Sequence, residues 1–280
     1  MMLCDLHNHS TKSDGTLTPR EVARLGAQKG LCAVALTDHN TVEGLSEFLD
    51  EAEKVGIAPV AGIEISADFR GVELHILGLF LPGEAWDEVG ARMRALAARK
   101  EESNERLAKG LRENGYPITV EELKREYGNN INRSHFQRLL RKKGLVDPEE
   151  NLFDTLLSEE RGLYVPPKRE DALKTVAFLR SVGAVPVWAH PFLKKTEGII
   201  SEFLPLAKEA GLQGLEALYS EYTAEHQARA FSLCREFDLL PSGGSDFHGT
   251  AKAGIDMGVG RGNLEIPMAF CDALREAALR

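Results

Sequence analysis

The residues best suited to chemistry begin almost at once, with Asp5-Leu6-His7-Asn8-His9 and then Asp14. Two histidines one residue apart, after the short apolar run Met2-Leu3-Cys4, can both reach one point beyond a strand end. Neutral imidazole is the commonest protein metal ligand, and a His-x-His pair fixes two coordination positions at little entropic cost. Asp14 adds a hard oxygen donor. Taken alone, the pair is equally compatible with two ordinary surface histidines. Further along come Thr37-Asp38-His39, Glu64, His75, His190-Pro191 and Ser245-Asp246-Phe247-His248, so six of the eight histidines share this pattern. Mixed histidine and carboxylate donors suit Mn, Fe or Zn better than Mg or Ca. Adjacent divalent ions lower the pKa of a shared water and can clamp phosphoryl oxygens, so such a set suits metal-assisted hydrolysis, of phosphoesters or of C–N bonds.

These residues must be positioned by the elements around them. Residues 2–6 read as a buried strand, and Thr18-Pro19-Arg20-Glu21 combines an N-cap, a first-turn proline and a capping box for a helix ending at Gly30. A second strand at 31–36 delivers His39. A helix is expected to start at Thr41 and end at Gly56. A third strand at 57–65 closes with Glu64, and a turn at Phe69-Arg70-Gly71 leads to a fourth at 72–79 containing His75. From about 84 to 167 the periodicity is helical, with Thr119 and Asn132 as caps and Tyr164-Val165-Pro166-Pro167 as a return linker. Alternation then resumes: strands at 185–189, 214–218 and 239–242 are separated by helices, and a final helix follows Pro267. Seven strands alternating mostly with helices imply an α/β barrel or a doubly wound sheet. In a barrel, strand ends converge on one rim, where such enzymes place their active sites.

Composition narrows the partners. The chain has 280 residues and a formal net charge of −9, which argues against tight binding to long duplex nucleic acid. Bound divalent ions would still admit a small phosphorylated substrate. The four cysteines, Cys4, Cys32, Cys234 and Cys271, form no CxxC and read as reduced core thiols. With no apolar run long enough to span a bilayer and nothing resembling a signal peptide, a cytoplasmic location is expected. Residues 99–168 carry 14 basic and 13 acidic side chains, leaving 20 basic and 30 acidic in the remainder. The more positive segment, with Arg138, Arg141, Lys142 and Lys143, suits a phosphorylated substrate or the end of a short RNA, although a solvated helix face explains it almost as well. Within it, Asn132-Arg133-Ser134-His135 is a candidate anion contact, where helix N-terminal amides point toward an anion and Arg133 adds a bidentate fork, with a structural role for the stretch as the alternative. Arg261 is a weaker candidate in a surface turn. His226 reads as a mid-helix residue on a solvated face, and Asp5 as an orienter of a ligand histidine.

The series His7-x-His9, Asp14, Thr37-Asp38-His39, Glu64, His75, His190-Pro191 and Ser245-Asp246-x-His248 resembles the PHP (polymerase and histidinol phosphatase) family, in order and over most of the chain. The resemblance implies a distorted (β/α)7 barrel, here residues 1–98 and 168–280, with a helical insertion or cap domain at 99–167. It implies a trinuclear centre. One metal would take His7, His9, Glu64 and Asp246. A second would share Glu64 and add His75 and His190. The third would take Asp14, His39 and His248. Many members have histidine where this chain has Asp14. The insertion with Arg133, Ser134 and His135 resembles the subgroup acting on nucleoside phosphates, which includes AMP phosphatases, 3′,5′-bisphosphate phosphatases and a 5′-to-3′ exoribonuclease.

The expectation is therefore a phosphoesterase using three divalent ions, Mn first with Zn or Fe as alternatives, and a metal-bound hydroxide that attacks phosphorus in line. No side chain is assigned as general acid. The substrates expected are AMP or a nucleoside 3′,5′-bisphosphate, with exonuclease action on short 5′-phosphorylated RNA as the alternative. Non-catalytic nucleotide binding and C–N bond hydrolysis are the readings from other classes.

Overall fold

The computed structural model describes residues 2–128, 131–160, 163–167, 169–193 and 197–279. Met1, Lys168 and Arg280, which stand at limits of the expected domains, lie outside the described residues. Two compact units emerge, one of residues 1–90 with 170–280 and one of residues 91–169.

The first unit is built on strands β1 (Cys4–Asp5), β2 (Ala33–Leu36), β3 (Ala58–Phe69), β4 (Val72–Leu79), β5 (Glu170–Asp171), β6 (Val185–Trp188), β7 (Gly214–Tyr219) and β8 (Leu240–Gly244). Their order is β1-β2-β3-β4-β6-β7-β8, with the two-residue β5 attached to β3. The two open edges meet: Leu6 N donates to Gly243 O at 3.1 Å and Asp246 N to His7 O at 2.9 Å, so the sheet is nearly closed into a distorted barrel. Helices α1 (Pro19–Gln28), α2 (Leu45–Val55), α6 (Ala172–Ser181), α7 (Glu197–Glu209), α8 (Ala224–Glu236) and α9 (Met268–Ala278) accompany the strands. The expected capping box at Thr18 and Glu21 forms, and both of its hydrogen bonds are present. A buried cluster joins Leu6, Ala33, Val60, Leu77 and Val187 from the strands to Cys271 and Leu274 of α9, so the last helix closes the same core. The cysteines are all free thiols.

Three strand and helix expectations need correction. β4 pairs antiparallel with both β3 and β6, whereas the other neighbours in the path pair in parallel. The cause is local: Arg70 and Gly71 both have positive φ, 53° and 84°, and make a two-residue hairpin turn that reverses the chain immediately. His75 therefore reaches the rim from the first half of a reversed strand, paired with Ser66, and not from a strand's C-terminal end. β3 also runs on to Phe69, so Glu64 lies within the strand and does not close it. Finally, α2 starts at Leu45 behind Gly44, because Thr41 turns back on Glu43 N (3.2 Å) instead of capping a helix.

In the second unit, α4 (Val120–Tyr127) and α5 (Arg133–Lys142) pack with the end of α3 (Trp86–Glu113). Leu107, Leu111, Ile118, Leu123, Phe136, Leu140, Leu152 and Leu157 form its core. Tyr164 joins this core at 7% exposure, so the segment read as a linker is packed structure at that point. No described helix is long and apolar enough to cross a membrane.

Candidate metal centre

Glu64 is the centre of the site. Its two oxygens meet five imidazoles: Oε2 lies 2.9 Å from His39 Nδ1, 3.3 Å from His9 Nε2 and 3.4 Å from His7 Nε2. Oε1 lies 2.9 Å from His75 Nδ1 and 3.1 Å from His190 Nε2. Asp246 Oδ1 is 3.3 Å from His9 Nε2 and 3.6 Å from His7 Nε2, and Asp14 Oδ1 is 3.2 Å from His248 Nε2. Donor atoms within 4.8 Å of one another fall into four sets. These are His7, His9 and Asp246; His7, Glu64 and His190; His39, Glu64 and His75; and His9, Asp14, His39 and His248. All nine residues singled out as metal ligands in the sequence belong to these sets.

The chemistry of the donor set fits bound cations. Buried carboxylates facing imidazole lone pairs repel unless positive charge lies between them. His7 Nε2, His9 Nε2 and Glu64 Oε2 are buried without a hydrogen-bond partner among the described residues, an arrangement that metal ions would satisfy. Without metal, protons serve instead. Burial lowers the pKa of His9, but the Asp246 and Glu64 carboxylates beside it outweigh this and raise it to about 9. His75 is likewise lowered by burial and raised by Glu64, again to about 9. Burial prevails at His190, which falls to about 3 despite Glu64. For Glu64, burial pushes the pKa up, but His39, His75 and His7 together hold it well below the usual carboxylate range.

The backbone is shaped to deliver these groups. His190 and Asp246 both have positive φ, 33° and 56°, which costs about 1–3 kcal/mol each for a residue other than glycine. Hydrogen bonds hold both in place: His190 N donates to Glu216 Oε2 at 2.7 Å, and Asp246 N to His7 O. Asp38 fastens the first loop by accepting from Ser10 N (2.7 Å), Ser10 Oγ (2.6 Å) and Ser13 Oγ (2.6 Å). Gly244 must be glycine, because a Cβ there would collide with His7 Cβ.

Several supporting residues are not evident from the sequence. Glu216, fully buried on β7, accepts from His7 Nδ1 at 3.1 Å while its other oxygen binds His190 N. The one sequence signal was a carboxylate inside the apolar run Leu215-Glu216-Ala217-Leu218. Lys252 Nζ and Tyr219 Oη both donate to Asp246 Oδ2, at 2.5 and 2.9 Å. Burial would raise the Asp246 pKa, but Lys252, His7 and His248 hold it well below the carboxylate range. Nothing local marks either partner.

Asp5, His226 and Arg261 stand outside the four donor sets. Asp5 touches no imidazole ring. It accepts from His7 N (3.3 Å), Ser245 Oγ (2.5 Å), Ser245 N (3.0 Å) and Gly258 N (2.7 Å), and so holds the backbone at His7 and the backbone that carries Asp246. His226 lies in the first turn of α8, in a capping box with Thr223, and its ring stacks on Phe192. Arg261 sits in an exposed turn and pairs with Glu221 at 3.1 Å.

Arg133, Ser134 and His135 belong to the second unit and to none of the four donor sets. Asn132 caps α5 as expected, but His135 completes that cap: its Nδ1 accepts from Asn132 N at 3.1 Å, and its buried ring stacks on Tyr127. The Arg133 guanidinium lies over the Tyr164 ring, 4.2 Å from its centroid, with Glu159 at 3.9 Å.

Comparison with known proteins gives the same direction. The family model described as "PHP domain" matches residues 5–162. A 5′-3′ exoribonuclease of Haemophilus influenzae is 29% identical, over 87% of this chain and 89% of its own length. A 3′,5′-nucleoside bisphosphate phosphatase of Chromobacterium violaceum is 30% identical, over 91% and 90%. The solved structure of an amidohydrolase from Chromobacterium violaceum, with bound sulfate and no metal, superposes with a TM-score of 0.87. It is 27% identical, over 98% of this chain and 96% of its own. With the family model covering more than half of its residues, this chain belongs to the PHP family.

Proposed function

We propose that this chain is a metal-dependent phosphoesterase that hydrolyses phosphate monoesters of nucleotides, AMP or a nucleoside 3′,5′-bisphosphate. The observation that carries the reading is the convergence of six histidines with Glu64, Asp246 and Asp14 into four sets, each with its donor atoms within 4.8 Å of one another, in a chain of the PHP family. The relative from Chromobacterium violaceum is named for removal of phosphate from a nucleoside bisphosphate, and this supports the substrate class. The ligands would be His7, His9, Glu64 and Asp246 for one ion, Glu64, His75 and His190 for a second, and Asp14, His39 and His248 for a third. Manganese is the ion expected first, with zinc or iron next.

Divalent ions held there supply the Lewis acidity that activates water and withdraws charge from the phosphoryl group. The chain's own residues prepare the place. Glu64 divides its two oxygens between the His7, His9, His39 side and the His75, His190 side, and so joins the sites. Asp246 turns Oδ1 to His7 and His9 because Lys252 and Tyr219 occupy Oδ2. Glu216 fixes His7 with its Nδ1–H outward, which leaves Nε2 free for a ligand role. Arg133 is the proposed phosphate-orienting group. Its fork is bidentate by nature, while His135 supports the helix start on which Arg133 stands.

The test is a substrate panel of AMP, 3′,5′-bisphosphonucleosides and short 5′-phosphorylated RNA, on Mn²⁺-reconstituted protein with its metal content measured. Phosphate release from the mononucleotides is expected, and Arg133→Ala should raise KM more than it lowers kcat. Absence of turnover on every substrate by metal-loaded protein would overturn the reading. Stepwise release of mononucleotides from the RNA would instead favour exonuclease action, the second reading, which the Haemophilus influenzae relative supports.

A further inference from the structure

We infer that the cavity between Phe192 and the N-terminal halves of α7 and α8 is a nucleobase subsite, which receives the base of a nucleotide whose phosphate is at the histidine–carboxylate cluster. This rests on the phosphoester reading and adds what the rest of the substrate must be. The cavity is about 310 Å³ and is lined by Phe192, Glu197, Ile200, Glu225, His226 and Arg229. That is the lower end of the range of small-molecule pockets, about 300–1,000 Å³.

Its position relative to the cluster follows from the chain. Phe192 is two residues past His190, so their Cα atoms are within about 7.6 Å of each other. Packed rings lie between the two places: His190 to Tyr219 at 5.3 Å, Tyr219 to Tyr222 at 5.2 Å, Tyr222 to Phe192 at 5.3 Å and Phe192 to His226 at 5.3 Å, with Tyr219 and Tyr222 buried and Phe192 and His226 partly exposed. The first three pairs are steeply tilted, but Phe192 and His226 are parallel to within 4°. A parallel pair of partly exposed rings is the arrangement that a third flat ring can join by stacking.

The polar groups select a base over a second phosphate. Glu197 and Glu225 offer only acceptors at neutral pH. Arg229 already faces Glu197 at 3.4 Å and Glu236 at 3.8 Å, so its charge is matched within the chain. An anion gains little there, whereas the amino group of adenine, cytosine or guanine can donate to the carboxylates. His226 Nδ1 accepts from Thr223 N at 3.4 Å, which puts the ring proton on Nε2 as a donor for a base nitrogen or carbonyl.

The experiment compares AMP with ribose 5-phosphate, which lacks the base, in wild type, Phe192→Leu and Phe192→Tyr. It adds saturation-transfer NMR of adenosine with wild type and Phe192→Leu. Phe192→Leu keeps the volume but removes the π face. It should raise the ratio of the AMP KM to the ribose 5-phosphate KM about tenfold, and Phe192→Tyr should restore most of it. Adenosine transfer should be strong with wild type and weak with Phe192→Leu. An unchanged KM ratio in Phe192→Leu, or adenosine signals equal in the two proteins, overturns the subsite. If wild type hydrolyses neither AMP nor ribose 5-phosphate, AMP falls as a substrate while the wider panel decides the phosphoester reading, and the adenosine signals still decide the subsite.

Discussion

Glu216→Gln is the most informative single change, because it preserves shape and alters only what the buried side chain can accept. In wild type both oxygens accept, one from His7 Nδ1 at 3.1 Å and the other from His190 N at 2.7 Å. Glutamine has one acceptor oxygen and one donor amide. Whichever way it turns, one of the two N–H groups meets another donor. Leaving a buried donor unsatisfied costs about 1–3 kcal/mol. At about 2–4 °C per kcal/mol for a chain of this size, the melting temperature should fall by roughly 2–12 °C. The change also loosens His7 and the His190 backbone together, so affinity for divalent metal should fall about 10–100-fold. Calorimetric melting of metal-free protein measures the first effect, and titration with Mn²⁺ followed by electron paramagnetic resonance measures the second. A variant that melts with wild type and binds Mn²⁺ equally well would refute the argument that Glu216 holds these two histidines.

Three other outcomes can be checked. In metal-free protein the folded pKa of His9 and His75 is about 9, above the ordinary 6.5. Their protons therefore add stability that is fully present below about pH 6.5 and is lost as pH rises through about 9. Because metal must displace those protons, Mn²⁺ affinity should increase across that window, with proton release visible by calorimetry in buffers of different ionisation enthalpy; a flat profile would contradict the assignment. Gly244→Ala would force a methyl group onto His7 Cβ and to 2.7 Å from His7 N. It should destabilise by about 1–3 kcal/mol and reduce bound metal per chain, both measured on the purified variant. Asn132→Ala removes the side-chain acceptor for His135 N and should cost about 0.5–2 kcal/mol. The cost should appear as faster amide exchange confined to the second unit, and unchanged exchange in α5 would show that the cap contributes nothing.

The sequence by itself determined what is local. His-x-His after a short apolar run, the capping box at Thr18, the N-cap at Asn132, and strands alternating with helices depend on spacing within a few residues, and each appears in the structure near its expected place. The nine candidate ligands were legible for a similar reason, since each is a chemically demanding side chain and all but Asp14 lie in a strand or close to the end of one. What tertiary structure alone decided is which distant residues support them. Arg70-Gly71 made a turn legible, but only pairing with β6 as well as β3 fixes β4 as a reversed strand inside the barrel. Asp5 reads in the sequence as an orienter of a histidine, and beside its bond from His7 N its partners are Ser245 and Gly258, some 240 and 253 residues away in the chain. Glu216, Tyr219 and Lys252 become part of the site only when β7 and the segment after β8 come beside β1 and β6. No periodicity encodes that proximity. Local rules specify which groups are present, while barrel closure specifies which of their atoms remain free to bind a metal.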